Sequence, residues 1–318
     1  MASIYHGRGA AVGIAEEDTW GTAKSTAVGD GGVWRPLISS GLTRTIEKVP
    51  RPTLKVGSAG AMRRAHFVQA DNAGGTFSVE ASYRSMGMLC KHLMGAVSTS
   101  GTNPYTHVYT FADDVPLGLT IENVRGTGTS EKFEGCRLNS GTFAVSAGGV
   151  MTCEFDVIAQ TSATRGSATT ITYGGTDAPI LHSQAGQFTF NGATYDLIDM
   201  SLVVNNALAT RQHLGSAVTA KPLRSDFQSV EMSITVEVED ALYAAFIADT
   251  ESDAHITFTD GTRSFRVDLQ NAYLSAASDP VSDANVIRQT ITLVGQSDGT
   301  NEGLKLTVIN GDSTGIGN

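Results

Sequence analysis

Two stretches of this chain read as copies of each other, and an internal repeat constrains architecture before any other feature does. Residues 74–94 run GGTFSVEASYRSMGMLCKHLM and residues 229–249 run SVEMSITVEVEDALYAAFIAD. Aligned at an offset of 155, each is an alternating strand that leads into a short apolar helix. Phe77, Val79, Ala81 and Tyr83 then fall against Met232, Ile234, Val236 and Val238. The positions between them are polar in both, Thr76, Ser78, Glu80 and Ser82 against Glu231, Ser233, Thr235 and Glu237. A period of 2 puts each set on one face of a strand. Residues 150–160 (VMTCEFDVIAQ) match residues 286–296 (VIRQTITLVGQ) at an offset of 136, and Leu37–Ser39 matches Leu197–Asp199.

The repeat predicts a mainly β protein of two tandem β-sandwich domains, each with one short flanking α-helix. In a chain of 318 residues each copy is long enough for a core of its own. The expected boundaries are an N-terminal arm at 1–32, a first domain at 33–162, a linker at 163–180, a second domain at 181–310 and a tail at 311–318. Helices are expected over Arg84–Val97 and Glu239–Thr250. Prolines, glycines and polar residues mark Glu47–Ala65 and Asn206–Leu223 as long loops in matching places. The two offsets differ by 19, so the first copy carries extra residues between its helix and its last strand, expected within Ser98–Glu131.

Composition agrees with a strand-rich reading. Charged residues are 17% and glycines number 35, which favours turns and strands over charged helices. No apolar run reaches the roughly 18–20 residues that a membrane-crossing helix needs. The opening MASIYHGRGAAVGIAEED has no basic-then-apolar signal pattern, which predicts a protein made and used without Sec export. Cys90, Cys136 and Cys153 have no metal or redox spacing and read as buried reduced thiols. The net charge of −10 argues against a general nucleic-acid binder. Residues 1–160 balance 14 Lys/Arg against 14 Asp/Glu, whereas residues 161–318 hold 8 against 18.

Chemistry is sought and not found. The chain has no phosphate-binding loop, nucleophile elbow, HExxH helix or EF-hand. Its seven histidines are scattered, and Cys90 and His92 lie two apart on an expected helix, pointing to different faces. The pairs Asp113–Asp114 and Glu239–Asp240 fit turn and helix-start chemistry. Gly126–Ser130 (GTGTS) lacks the helix that would make it an anion cradle. No enzyme activity, cofactor or metal is expected.

On Val12–Ala23 (VGIAEEDTWGTA), the strand–helix units above and Asn285–Gln296 (NVIRQTITLVGQ), the chain resembles the major tail tube proteins of long-tailed bacteriophages. The resemblance implies a β-sandwich with a flanking helix that packs into stacked rings. Four strands of each domain would join an inner barrel that conducts the viral genome into the bacterial host. A long loop between early strands would reach the next ring. Its candidates here are Pro50, Arg51, Pro52, Lys55, Arg63 and Arg64 in the first loop, and Arg211, His213 and Lys221 in the second.

The channel wall would carry Thr76, Ser78, Glu80, Ser82, Thr152, Glu154 and Asp156 from the first copy, with Glu231, Ser233, Thr235 and Glu237 from the second. Small hydroxyls and acids suit a duct through which DNA must slide without sticking, since every neutralised phosphate adds affinity. An ordinary solvent-facing sheet would look the same. The implied partners are other copies of the chain, tape-measure, tail-terminator and distal tail proteins, and double-stranded DNA passing without specific binding. No membrane is implied. The implied location is the virion tail, assembled in the host cytoplasm.

Most members of the family have one such domain. A doubled chain implies rings of three chains with pseudo-sixfold symmetry. A surface β-sandwich of adhesin or pilus type is the alternative, and a hydrolase with carboxylates on a β scaffold is a third reading.

Overall fold

Strict alternation of apolar and polar side chains sorts this chain onto the two faces of one wide antiparallel sheet. The computed structural model describes residues 9–51, 66–113, 116–126, 128–163, 165–173, 178–238, 240–278 and 286–316. The first half of the chain supplies β1 (Ala11–Glu16), β2 (Val33–Ser40), β3 (Thr43–Pro50), β4 (His66–Glu80), α1 (Gly87–Met94), β5 (Gly95–Gly101), β6 (Tyr105–Phe111), β7 (Leu119–Val124), β8 (Thr129–Ser146) and β9 (Thr152–Ala159). Short strands β10 (Thr161–Ser162) and β11 (Gly166–Ser167) follow. The second half supplies β12 (Phe188–Phe190), β13 (Ala193–Tyr195), β14 (Leu197–Asn205), β15 (Leu208–Arg211), β16 (Ala220–Arg224), β17 (Ser229–Glu237), α2 (Asp240–Ile247), β18 (Ser252–Thr259), β19 (Ser264–Ser278), β20 (Arg288–Gly295) and β21 (Leu304–Asn310).

The wide sheet starts with β2 and β3, which share one position, and continues β4–β9–β8. The edge of β8 then pairs with β14, and the sheet runs on through β17, β20 and β19. The two quartets have the same strand order, and their irregularities fall at matching places. The register slips between Leu37 and Ser39 and between Leu197 and Asp199. It slips again between Leu138 and Ser140 and between Leu274 and Ala276.

Ladder pairs set the correspondence between the two quartets. Val79 faces Cys153 and Val236 faces Gln289. Val79 therefore matches Val236, and Phe77 matches Ile234, two residues away from the pairing expected at an offset of 155. The cause is physical: an alternating strand looks like itself after every two residues, so periodicity fixes the face and not the register.

A second layer covers the apolar face. Over the first quartet it runs β2–β1–β7–β8, with β10 and β11 added on β8. Over the second it runs β13–β12–β18–β19–β21–β6–β5. Strands β8 and β19 belong to both layers. Each passes a residue in the left-handed region two positions before its wide-sheet pairing begins, Gly135 at φ 62° and Asn271 at φ 48°, the residue types that tolerate it best.

Between the layers lies one apolar cluster that spans both halves. Phe143 touches Phe155 at 6.0 Å and Phe265 at 5.8 Å between ring centres, while Phe77 lies 5.5 Å from Phe155. Cys90, Cys136 and Cys153 are free and buried in it, and burial pushes the Cys90 thiol up to about 12.

Several elements differ from expectation. The segment 1–32 was expected to stand outside the core, yet its residues Ala11–Glu16 form β1, which pairs on both edges and is almost wholly buried. Small residues hid this strand: Gly13 lies where a Cβ would meet the Trp34 ring at 2.8 Å. Both helices are shorter than expected. Ser85 and Gly95, in the left-handed region, bracket α1, and Asp249 follows α2 in the same conformation.

The expected loop Glu47–Ala65 begins inside β3, which runs to Pro50, and Thr129 and Ser130 of the GTGTS stretch open β8. The linker is tied down through β11 and Thr169, whose N–H donates to Glu122 Oε1 at 2.9 Å. The tail is held as well: Arg84 Nε donates to buried Asp312 at 2.6 Å and the Tyr109 hydroxyl donates to Gly315 O at 2.9 Å. Between α1 and β7 stands the β5–β6 hairpin, which pairs through β6 with β21.

Glu16 joins β1 to α1. Its Oε1 lies 3.3 Å from His92 Nε2 and 2.6 Å from Lys91 Nζ. The His92 contact, and Lys91 with it, outweigh burial and hold the carboxyl down to about 2. A carboxylate with a depressed folded pKa stabilises the fold above its unfolded value of about 4.3, and that stability is lost as pH falls through the folded value. Glu16→Gln should be less stable than the parent at pH 7, with the gap shrinking between about pH 4.3 and pH 2. Denaturant titrations at stepped pH measure it; a gap that does not change with pH rejects the linkage.

Candidate functional site

The outward face of the wide sheet is mostly polar, with Val203 and Val294 standing among its hydroxyls and acids. On β4, Thr76 and Glu80 are exposed, while Ser78 is shielded by Ser39 Oγ at 3.2 Å and Glu154 Oε2 at 3.1 Å. On β9, Thr152 and Glu154 are exposed and Asp156 is half-buried, accepting from Asn139 Nδ2 at 2.9 Å. On β17, Glu231 and Glu237 are exposed, with Ser233 and Thr235 half-buried. Cross-strand pairing brings these residues into rows: Ser39, Ser78, Glu154 and Thr142 in one, Glu80, Thr152, Ala144, Ser201, Ser233 and Thr292 in another.

Ser82 does not belong to this face. It lies beyond the end of β4, is buried, and accepts from Arg35 Nη1 while donating to Arg84 O. Arg35 also donates to Glu80 O and to Arg84 O, so it pins the turn between β4 and α1. The sequence reading missed the middle of the face, Ser140, Thr142 and Ser146 on β8 and Asp199, Ser201 and Asn205 on β14. Their signal was present as alternation with Phe143, Val145, Met200, Leu202 and Val204, all buried.

Among the described residues of these strands the face carries Glu80, Glu154, Asp156, Asp199, Glu231 and Glu237, with Arg288 opposite Glu237. Acids dispersed among hydroxyls leave it without a basic track for phosphates.

Two hairpins extend from one end of the sheet. One is made of β3 and the first part of β4, the other of β15 and β16. They touch: Asp71 N donates to Ala217 O at 2.8 Å, and Thr219 Oγ1 to Asn72 Oδ1 at 3.2 Å. Among the expected loop residues, Pro50 is half-buried at the end of β3 and Arg51 is exposed. Pro52, Lys55, Arg63 and Arg64 lie outside the described residues. On the second hairpin Arg211 donates to Lys221 O at 2.8 Å, Lys221 is half-buried and His213 is exposed. Ile46, Phe67 and Val68 of the first hairpin and Leu214 and Leu223 of the second are exposed apolar side chains.

The described residues thus form a β-protein with a sheet face eight positions wide, two edges unpaired among those residues, and two hairpins that carry exposed apolar side chains. A family model described as phage tail tube protein matches residues 7–295, and the chain belongs to that family. It is accordingly a structural component of the virion tail that assembles into a tube together with other tail proteins. No curated protein matches the chain.

Proposed function

We propose that each chain supplies a continuous eight-strand section of the wall of a genome duct, with the polar face turned to the lumen. The observation that carries this reading is the β8–β14 ladder. It sets two quartets of identical strand order edge to edge inside one chain, as two neighbouring single-domain subunits would stand in a ring. The quartets are in this reading the two copies of a duplicated tube domain. Three chains then supply about two dozen strands, and strand number sets barrel diameter. A ring of six such chains would be about twice as wide as one DNA duplex requires.

The chemistry of the face supports the orientation. Its carboxylates repel phosphates within a Debye length of about 8 Å at physiological salt, and hydroxyls hold no counter-charge. The core face of the same strands is sealed under the second layer, so in a closed barrel only the polar face is left to line the interior.

Image reconstruction of purified tubes should show threefold symmetry with both quartets lining the channel; six chains per ring with one quartet inside would end this reading. Converting Glu80, Glu154 and Glu231 to Lys should leave assembly intact and give tubes that retain duplex DNA at low salt and release it as salt rises. Tubes of the variant that pass DNA as freely as the parent would argue against a lumenal face. The hairpins are the contacts between rings in this reading. Deleting residues 50–60 should leave a folded protein that no longer forms long tubes in electron micrographs, and normal tubes would remove the hairpin from that role.

A further inference from the structure

The wide sheet ends in two edges whose outer sides are unpaired among the described residues. At one end β3 pairs only with β4; at the other, the last residues of β19 pair only with β20. The same two kinds of edge meet once inside the chain, where β8 and β14 pair. Ladder positions translate one junction into the other. Val203 and Asn205 face Glu231 and Ser229 as Thr43 and Thr45 face Gly74 and Asn72. Ser140 and Thr142 face Asp156 and Glu154 as Ala276 and Ser278 face Thr292 and Thr290.

We propose that β3 of one chain pairs antiparallel with the end of β19 of the next, in the register of the internal junction. Thr142 faces Val203 and Ser140 faces Asn205, so Ser278 will face Thr43 and Ala276 will face Thr45 across the boundary between chains. The inference rests on the ring reading above and adds its interface.

A second observation bears on the same boundary. Within the chain, Asn206 follows the junction and is buried against α1, its Nδ2 donating to Leu93 O at 2.9 Å and Leu138 O at 3.0 Å. The helix α1 is almost wholly buried. Its counterpart α2, packed beside β19, buries only Leu242 fully and leaves Tyr243 47% and Ile247 66% exposed. The residue placed like Asn206 on β3 is Ile46, itself 43% exposed. The proposed pairing brings Ile46 of one chain onto the exposed apolar end of α2 of its neighbour. A polar side chain closes the internal junction over a covered helix; an apolar one meets the uncovered helix.

Cysteine pairs test the register. Directly opposed residues in an antiparallel ladder have Cβ atoms about 4.5–5.5 Å apart, diagonal ones about 7–8 Å, and a disulfide needs the shorter separation. The native cysteines are buried and leave the background clean. Tubes of Thr45→Cys/Ala276→Cys and of Thr43→Cys/Ser278→Cys should lose their monomer band on mild oxidation, whereas the diagonal control Thr43→Cys/Ala276→Cys should keep it. A ladder of linked chains ending at three supports both readings. One ending at six keeps the interface and removes the threefold ring. Linkage in the diagonal control alone, or none in tubes seen intact by microscopy, overturns the interface. Ile46→Asp, at an exposed site, should give a chain with parental circular dichroism that forms no tubes; normal tubes from it would overturn the contact with α2.

Discussion

The β8–β14 ladder is the interaction on which the rest of this structure depends. Seven consecutive residue pairs, from Ser146 with Asp199 to Ser140 with Asn205, convert two quartets into one sheet. Because side chains alternate with period 2, the ladder also makes two faces continuous. On one, Phe143 and Leu202 extend the core of the first half into the second; on the other, Ser140 beside Asn205 and Thr142 beside Val203 carry the solvent-facing surface across. A slip of one residue would turn Leu202 out to water and Ser201 into the core. Burying a large apolar side chain contributes about 1.5–3 kcal/mol, so several misplaced at once would exceed what a folded domain has to spare.

Much of the fold was legible because it rests on that same alternation. Strands β4, β9, β17 and β20 stand where the pattern puts them, and the parity of Glu80, Glu154 and Glu231 is as read from sequence. Register was not legible, since a period of 2 is blind to a slip of two. Strand β1 was missed because Ala11, Gly13 and Ala15 carry little apolar signal, and it takes the Trp34 ring packing over Gly13 to explain them. The hairpin β5–β6 was not legible as a strand pair, because its partner β21 lies some two hundred residues on and no local pattern reports a long-range ladder.

The polar face shows the same division. Its acids on β4, β9 and β17 were found through the repeat, which matched those strands between the halves. Ser82 was carried along by parity past Glu80, the last residue of β4, into a turn where parity has no meaning. There Arg35, a residue with no motif around it, decides the geometry. The rows on β8 and β14 were equally periodic, yet nothing local marks them as neighbours across the middle of the sheet.

The pairing of β6 with β21 has a bearing on how the chain comes to fold. The sheet over the second quartet cannot be completed by the second half alone, because two of its strands, β5 and β6, arrive with the first. Residues 95–111 must wait for residues 304–310, and Arg84 must wait for Asp312. During synthesis a nascent chain therefore holds an open strand edge until residues 304–310 have left the ribosome. Ladders of such long sequence separation are also slow to form. One edge of this sheet thus stays unsatisfied until residues 304–310 are present, and a half-made chain is a half-closed one.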